Sequence, residues 1–360
     1  MHPTARQSSL AAFAFTARAC VALVSLAALA AAPAAHAQSC VGDLNGDGAV
    51  DGADLGLVLV VWGPCGSCAA DLDGNGSVDG ADLGILLAGW GACLPTVPSW
   101  ATLVEAAPDP AIVTDPALRE AIAASGLAWR VLDTATQVEM LLVPPGTFRM
   151  GCIMRSDSYA CYPEELPVHE VTLTRAFYLG RYEVTQSQWV ATMGSNPASF
   201  QDPSRPVEQV SWNAIQGYLG ATGFRLPSEA EWERACRAGT EAPFYNGSTD
   251  DGTVGSLAWF HGNTCLLGGG CRTRFVGLKA ANALGFHDML GNVSEWVNDF
   301  DGSYPTTGQT DPTGPSSSSY RVLRGGFFAS DPDDVRSSAR SAATPASSVS
   351  AWGFRVARNP

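Results

Sequence analysis

The chain has 360 residues, 46% of them hydrophobic, with 38 glycines, 23 prolines and a formal net charge of −14 at neutral pH. That is enough apolar mass for one sizeable core and an accessory module. So acidic a chain repels a phosphate backbone, which excludes nucleic acid as a partner.

The N-terminus carries Arg6 and Arg18 without an acid, then an apolar run from Ala19 to Ala32, then Ala35-His36-Ala37. A basic start, a short apolar centre and a small-x-small end mark residues 1–37 as an export signal cleaved after Ala37. The run is shorter than the roughly 20 apolar residues of a spanning helix, so no transmembrane segment is expected after cleavage. A secreted or extracytoplasmic location follows, where cysteines can pair. Beyond the signal stand Cys40, Cys65, Cys68, Cys93, Cys152, Cys161, Cys236, Cys265 and Cys271, an odd set that leaves one thiol over. Cys152 with Cys161 and Cys265 with Cys271 are close enough to staple local loops; the pairing of the first four stays open. The remaining histidines, His169, His261 and His287, show no metal-binding spacing.

Asp43-Leu-Asn-Gly-Asp-Gly-Ala-Val-Asp-Gly-Ala-Asp54 recurs 28 residues later as Asp71-Leu-Asp-Gly-Asn-Gly-Ser-Val-Asp-Gly-Ala-Asp82. The first copy offers oxygens from Asp43, Asn45, Asp47, Asp51 and Asp54, with the Ala49 carbonyl. The second offers Asp71, Asp73, Asn75, Asp79 and Asp82, with the Ser77 carbonyl. Gly48 and Gly76 sit where the chain must turn sharply to wrap a hard cation, and the pattern predicts calcium. All eight acids between Gln38 and Trp100 fall at ligand positions, with no Lys or Arg among them. Plain Asp/Asn/Gly turns are the alternative. Leu55 to Trp62 and Leu83 to Trp90 read as short helices packed on each other. Paired loops with Asp at position 12 and one helix each resemble dockerin type I and EF-hand repeats. The resemblance implies a small α calcium-binding module over residues 38–94 with a cohesin-like partner. Residues 56–61 are almost wholly apolar where dockerins carry polar recognition residues, which favours a calcium-stiffened spacer over docking.

Residues 95–136, rich in Pro and Ala, read as a linker with one helix around Pro116 to Ser125. From 137 to 360 the pattern changes to apolar runs such as Glu139-Met-Leu-Leu-Val143 and Glu170-Val-Thr-Leu-Thr174, consistent with strands. Thr185-Gln-Ser-Gln188 and Ser228-Glu-Ala-Glu231 are capping boxes. The second helix is predicted to run to about Ala238, with Trp232 and Cys236 on its buried face.

Gly146-Thr-Phe-Arg-Met-Gly151, Pro167-Val-His-Glu-Val-Thr-Leu173, Tyr182-Glu-Val-Thr-Gln186, Pro206-Val-Glu-Gln-Val-Ser-Trp212, Arg225-Leu-Pro-Ser-Glu-Ala-Glu-Trp-Glu233, Gly291-Asn-Val-Ser-Glu-Trp296, Arg324-Gly-Gly326 and Gly353-Phe-Arg355 follow in order. In these blocks the domain resembles the formylglycine-generating (sulfatase-modifying factor) family. The resemblance implies an α+β fold: an irregular, C-type-lectin-like domain with little regular secondary structure. It also implies a structural calcium on the Asp288 and Glu295 side chains and the Gly291 and Val293 carbonyls. Family members oxidise a cysteine of exported sulfatases with copper held by two thiolates just after the Arg-Gly-Gly block. Ser330 and Val335 stand at those positions, so copper is not expected and no catalytic residue is assigned. Asp331, Asp333 and Asp334 read as a solvated turn, and Trp296 and Trp352 as core. The expectation is an exported calcium-binding protein whose C-terminal domain serves binding or assembly, with a protein or glycan ligand at the cell surface. The alternative is a formylglycine-generating-type oxidoreductase acting on a peptide cysteine or another thiol.

Overall fold

Asp51 and Asp54 stand three apart ahead of an apolar run, the spacing of a helix cap as well as of a cation loop. In the computed structural model, which describes residues 40–46, 48–153, 161–265 and 270–360, they serve as the cap. Asp51 accepts the Ala53 amide and Asp54 reaches back to the Asp51 amide, closing a capping box on α1 (Gly52–Val60). Asp79 and Asp82 do the same for α2 (Gly80–Ala88). The other oxygen of each N3 acid accepts two more amides, Leu44 and Asn45 for Asp54, Leu72 and Asp73 for Asp82. Asp43 accepts Gly46 and Gly48, and Asp71 accepts Asn75 and Gly76. Ala49 and Ser77 lie in two-residue strands, Ala49–Val50 paired with Gly91–Ala92 and Ser77–Val78 paired with Gly63–Pro64.

This corrects the calcium, EF-hand and dockerin reading. An EF-hand needs a helix on each side of its loop, and among the described residues each unit has only the one after the loop, as its sequence leads one to expect. The carboxylates that would face an ion are engaged by backbone amides, so the acid pattern is accounted for by caps and Asx turns. Asp47 and the export signal lie outside the described residues. A small core of Val50, Val58, Val78 and Leu86 holds the two units, and Cys40 is joined to Cys93 and Cys65 to Cys68.

The stretch expected as a linker is folded into the next unit. Ala101–Glu105 is an edge strand, α3 spans Pro116–Ala124 with Asp115 as its cap, and Arg130–Asp133 is a further strand. They extend an antiparallel sheet of order Ala357–Arg358, Phe177–Gly180, Glu139–Val143, Arg130–Asp133, Ala101–Glu105. Met140 to Val143 run without a polar break because this central strand is covered on both faces.

A second sheet runs Arg340–Ala343, Arg321–Arg324, Ser294–Phe300, Trp352–Gly353, and a third runs Gln309–Thr310, His169–Leu173, Gly146–Met150. The C-type-lectin-like expectation is thereby corrected to a sheet-built domain of the β-sandwich or half-barrel type. Abundant Gly and Pro suggested irregularity, yet Glu139–Val143, Ser294–Phe300 and Arg321–Arg324 contain neither. The breakers fall between strands, where turns need them.

The longer helices of the domain are α4 (Gln186–Met193) and α6 (Glu229–Arg237), each opened by a capping box, and α5 (Trp212–Thr222), capped by Ser211. Trp232 and Cys236 of α6 enter a core shared with Trp129, Tyr178, Trp296 and Phe354. Unlike an ordinary amphipathic helix, α6 also buries Glu229, Glu233 and Arg237. Buried charges persist only when paired, and these pairs position the site. No helix among the described residues is long and apolar enough to cross a membrane.

Candidate thiol and metal centre

The strand Gly146–Met150 leaves its sheet through Gly151, whose φ is +103°; a Cβ there would stand 2.6 Å from the Glu165 carbonyl oxygen, so only glycine fits. The Gly151 amide donates to Glu233 Oε1 at 2.9 Å, and its carbonyl accepts Arg237 Nη2 at 2.7 Å. Two charged side chains of α6 thus fix the backbone immediately before Cys152.

Cys152 is buried, donates its amide to the Glu165 carbonyl at 3.1 Å and is joined to Cys161, which is half-buried. Glu165 ends a short 3-10 turn, Pro163–Glu165, with its carboxylate wholly buried. Arg336 follows a second 3-10 turn, Pro332–Val335, and donates to both Glu165 oxygens at 2.8 and 2.7 Å. Ser338 Oγ donates to Glu165 Oε2 at 3.0 Å, and Arg336 Nε to the Asp333 carbonyl at 2.7 Å. Arg336 Nη1 also lies 3.4 Å from Cys152 Sγ. The guanidinium is therefore held by a carboxylate and a carbonyl while one edge faces sulfur.

Ligand atoms of Cys152, Cys161 and Glu165 lie within 4.8 Å of one another. Beside them opens a cavity of about 230 Å³ lined by Tyr162, Phe327, Ser330, Asp334 and Trp352, among others. Burial, then Asp331 and Asp333, push the Asp334 carboxyl above its ordinary range, while a Tyr162 hydrogen bond opposes them. The same cavity receives Ser330, whose Oγ accepts the Phe327 amide at 3.2 Å. Val335 is buried beneath Gly326.

The inference that Ser330 and Val335 leave this turn without a sulfur pair nearby is corrected. Ser330 and Val335 do occupy the turn after Arg324-Gly-Gly, but a cysteine pair reaches its neighbourhood from another element, and Arg336, next to Val335, touches it. The expectation of a non-catalytic domain rested on that inference and is withdrawn with it, as is the exclusion of copper. Sequence reasoning missed Glu165, Arg336 and Ser338. The one local signal was the acid pair in Cys161-Tyr-Pro-Glu-Glu165.

The other expected residues make the following contacts. Glu295 is turned onto Arg355, accepting its Nε at 2.9 and 2.7 Å and its Nη2 at 2.7 Å, and also accepts Trp232 Nε1 at 2.7 Å. Asp288 Oδ2 accepts the Gly277 amide at 2.6 Å, and burial pushes its carboxyl up to about 6. The Gly291 amide donates to the Gly325 carbonyl and the Val293 amide to Glu183. Asp71, Asp73 and Asp82 do bring carboxylate oxygens together, but the amides described above, with Asn75 Nδ2 on Asp73, satisfy them. Cys265 is joined to Cys271. Cys236 is a free, buried thiol, pushed up to about 12 by burial.

The profile of the sulfatase-modifying factor enzyme 1-like domain matches residues 130–360. The chain belongs to this family. The formylglycine-generating enzyme of Thermomonospora curvata is 34% identical over 289 residues, which cover 61% of this chain and 93% of that enzyme. The serine/threonine-protein kinase pkn1 of Chlamydia pneumoniae is 31% identical over 251 residues, covering 61% of this chain; the chain spans only 38% of that kinase. Among solved structures, PvdO from Pseudomonas aeruginosa is 29% identical with a TM-score of 0.56, over 64% of this chain and 98% of PvdO. The matched region therefore contains the strands from Arg130 onward, α6 and the thiol centre, and leaves the double-loop unit and the edge strand Ala101–Glu105 outside it.

Proposed function

We propose that this chain is an exported oxidoreductase of the sulfatase-modifying type, acting on the cysteine of a peptide or on another thiol. The observation that carries the reading is the pair of sulfurs gathered with a buried carboxylate, Cys161 directly preceding the cavity-lining Tyr162, in a family that includes formylglycine-generating enzymes. Four disulfides among the described residues suit export into an oxidising compartment, in line with the N-terminal signal.

The donor set fits copper in one state only. A disulfide sulfur has no thiolate charge, whereas reduced Cys152 and Cys161 offer the soft donors that Cu(I) selects, with Glu165 as a third ligand. Copper bound there would supply one-electron chemistry. This chain's own residues do the rest. Arg336 and Ser338 fix the Glu165 carboxylate, α6 fixes the Cys152 backbone, and Tyr162, Phe327 and Trp352 line the cavity together with polar side chains.

The test incubates the full chain, reduced and supplied with copper, with a cysteine-bearing peptide whose mass is followed. The expected result is loss of the peptide thiol with the wild type and not with Cys152→Ser or Cys161→Ser. A peptide that keeps its thiol under these conditions overturns the reading.

A further inference from the structure

The two sulfurs of the candidate centre are not equivalent. Cys152 is 7% exposed and has a guanidinium nitrogen 3.4 Å from its Sγ, while Cys161 is half-buried, directly before Tyr162 on the cavity wall. In thiol–disulfide exchange the incoming thiolate attacks one sulfur and the other departs with the electron pair. The rate depends on access to the first and on how well the second carries negative charge. Access favours Cys161. A fixed cation favours Cys152 as the departing thiolate.

Building on the oxidoreductase reading above, we propose that Cys152–Cys161 is itself an exchanging disulfide, in which a substrate thiolate attacks Cys161 Sγ and Cys152 leaves as a thiolate facing Arg336. The substrate thiol gives its proton to solvent, and its sulfur forms a mixed disulfide with Cys161 as the Cys152–Cys161 bond breaks. A second substrate thiol then attacks the substrate sulfur, releasing a substrate disulfide and the Cys161 thiolate. Two thiols are oxidised, one protein disulfide is reduced to two thiols, and two protons return to the cysteines. The protein's disulfide is the oxidant, so the exchange is stoichiometric.

Arg336 suits this role because its position does not depend on the disulfide. Glu165 and the Asp333 carbonyl hold it in place whether or not the sulfurs are joined. Glu165 already balances the charge of this guanidinium, so what Arg336 offers the departing Cys152 sulfur is a directed N–H held 3.4 Å away. The cavity of about 230 Å³ lined by Tyr162, next to Cys161 in the chain, and by Phe327 and Trp352 has room for a side chain the size of cysteine. Cys65–Cys68 and Cys40–Cys93 provide internal controls, because no arginine donates to their sulfurs among the described hydrogen bonds.

The experiment treats the oxidised full chain with reduced glutathione as probe, quenches with acid, alkylates free thiols and maps adducts by mass. The expected result is a glutathione adduct on Cys161 at least about tenfold over Cys152, with Cys152 alkylated. Arg336→Lys, which keeps the charge, retains most of the exchange rate, and Arg336→Gln loses about tenfold or more. Adducts spread evenly over the two sulfurs, adducts confined to Cys152, or exchange no faster than at Cys65–Cys68 overturns the proposal. Circular dichroism of each variant, with the other three disulfides intact, separates misfolding from lost exchange. The two readings also fail separately. Peptide conversion by the wild type together with adducts spread over both sulfurs sinks the exchange and keeps the oxidoreductase, whereas a Cys161 adduct without peptide conversion does the reverse.

Discussion

Arg336→Met is the most informative single change, because it removes one partner of an ion pair that has no water to fall back on. Arg336 and Glu165 side chains are 1% and 0% exposed, so solvent screening does not discount their interaction. The substitution deletes both charge-assisted bonds to Glu165 and leaves its carboxylate with Ser338 Oγ alone. Stranding a buried charge in this way costs about 3–5 kcal/mol, which for a domain of this size lowers the melting temperature by about 6–20 °C. Glu165→Gln costs less, about 1–3 kcal/mol, because the amide still accepts from Ser338 and one guanidinium nitrogen. The double variant Glu165→Leu with Arg336→Met removes both charges and is expected to recover most of the loss. Urea unfolding followed by tryptophan fluorescence measures all four proteins at once. The reasoning fails if the double variant is as unstable as the two single losses added together, or if Arg336→Met costs less than about 1 kcal/mol.

Two further expectations concern other parts of the molecule. Burial, then the neighbouring Glu229, pushes the Asp299 carboxyl up to about 8, so the native state keeps a proton that the unfolded chain has released. Its contribution to stability is present at acid pH and is lost as the pH rises from about 4 to about 8. Melting temperatures should fall across that window and Asp299→Asn should flatten the fall; an unchanged slope in the variant refutes the assignment. The Cys40–Cys93 bond closes a loop with a sequence separation of 53, worth about 4 kcal/mol of chain entropy. Replacing both cysteines by serine should speed proteolysis within residues 40–94 and spare residues 130–360. Equal cleavage of wild type and variant contradicts it.

Local signals in the sequence were read correctly where the physics is local. Thr185 and Ser228 open helices because a hydroxyl and an acid or amide three residues later suffice to cap one, and neither condition involves distant chain. The same locality explains the error at Asp51, Asp54, Asp79 and Asp82, since an acid three residues after another acid fits a capping box and a cation loop equally well. Ala101–Glu105 escaped notice for the opposite reason. It is an edge strand whose middle residues are exposed, so its pairing with Arg130–Asp133 leaves no apolar alternation to read. Glu165 and Arg336 are 171 residues apart, and no local pattern marks a pair that only the fold creates. Cys152 and Cys161 were expected as a local staple, but their place beside this turn was missed because Ser330 and Val335 were compared position by position, while the turn they occupy is approached in space by Cys152.

Glu233 explains why the motif blocks carry the charges they do. One of its oxygens takes the Gly151 amide and Arg237, and the other takes Arg324, whose Nη1 donates to the Ser338 and Ala339 carbonyls at 2.7 Å each. Burial alone would raise its carboxyl, yet Arg237 and Arg324 hold it below the ordinary range. A single ionised side chain on α6 therefore fixes the turn before Cys152 and, through Arg324, the strand start after Arg336. The Arg-Leu-Pro-Ser-Glu-Ala-Glu-Trp-Glu and Arg-Gly-Gly blocks are two halves of one buried network, and the sulfur and its guanidinium neighbour hang from opposite ends of it. A neutral Glu233 would release both ends together, so the separation between Cys152 and Arg336 is set by a charge that touches neither.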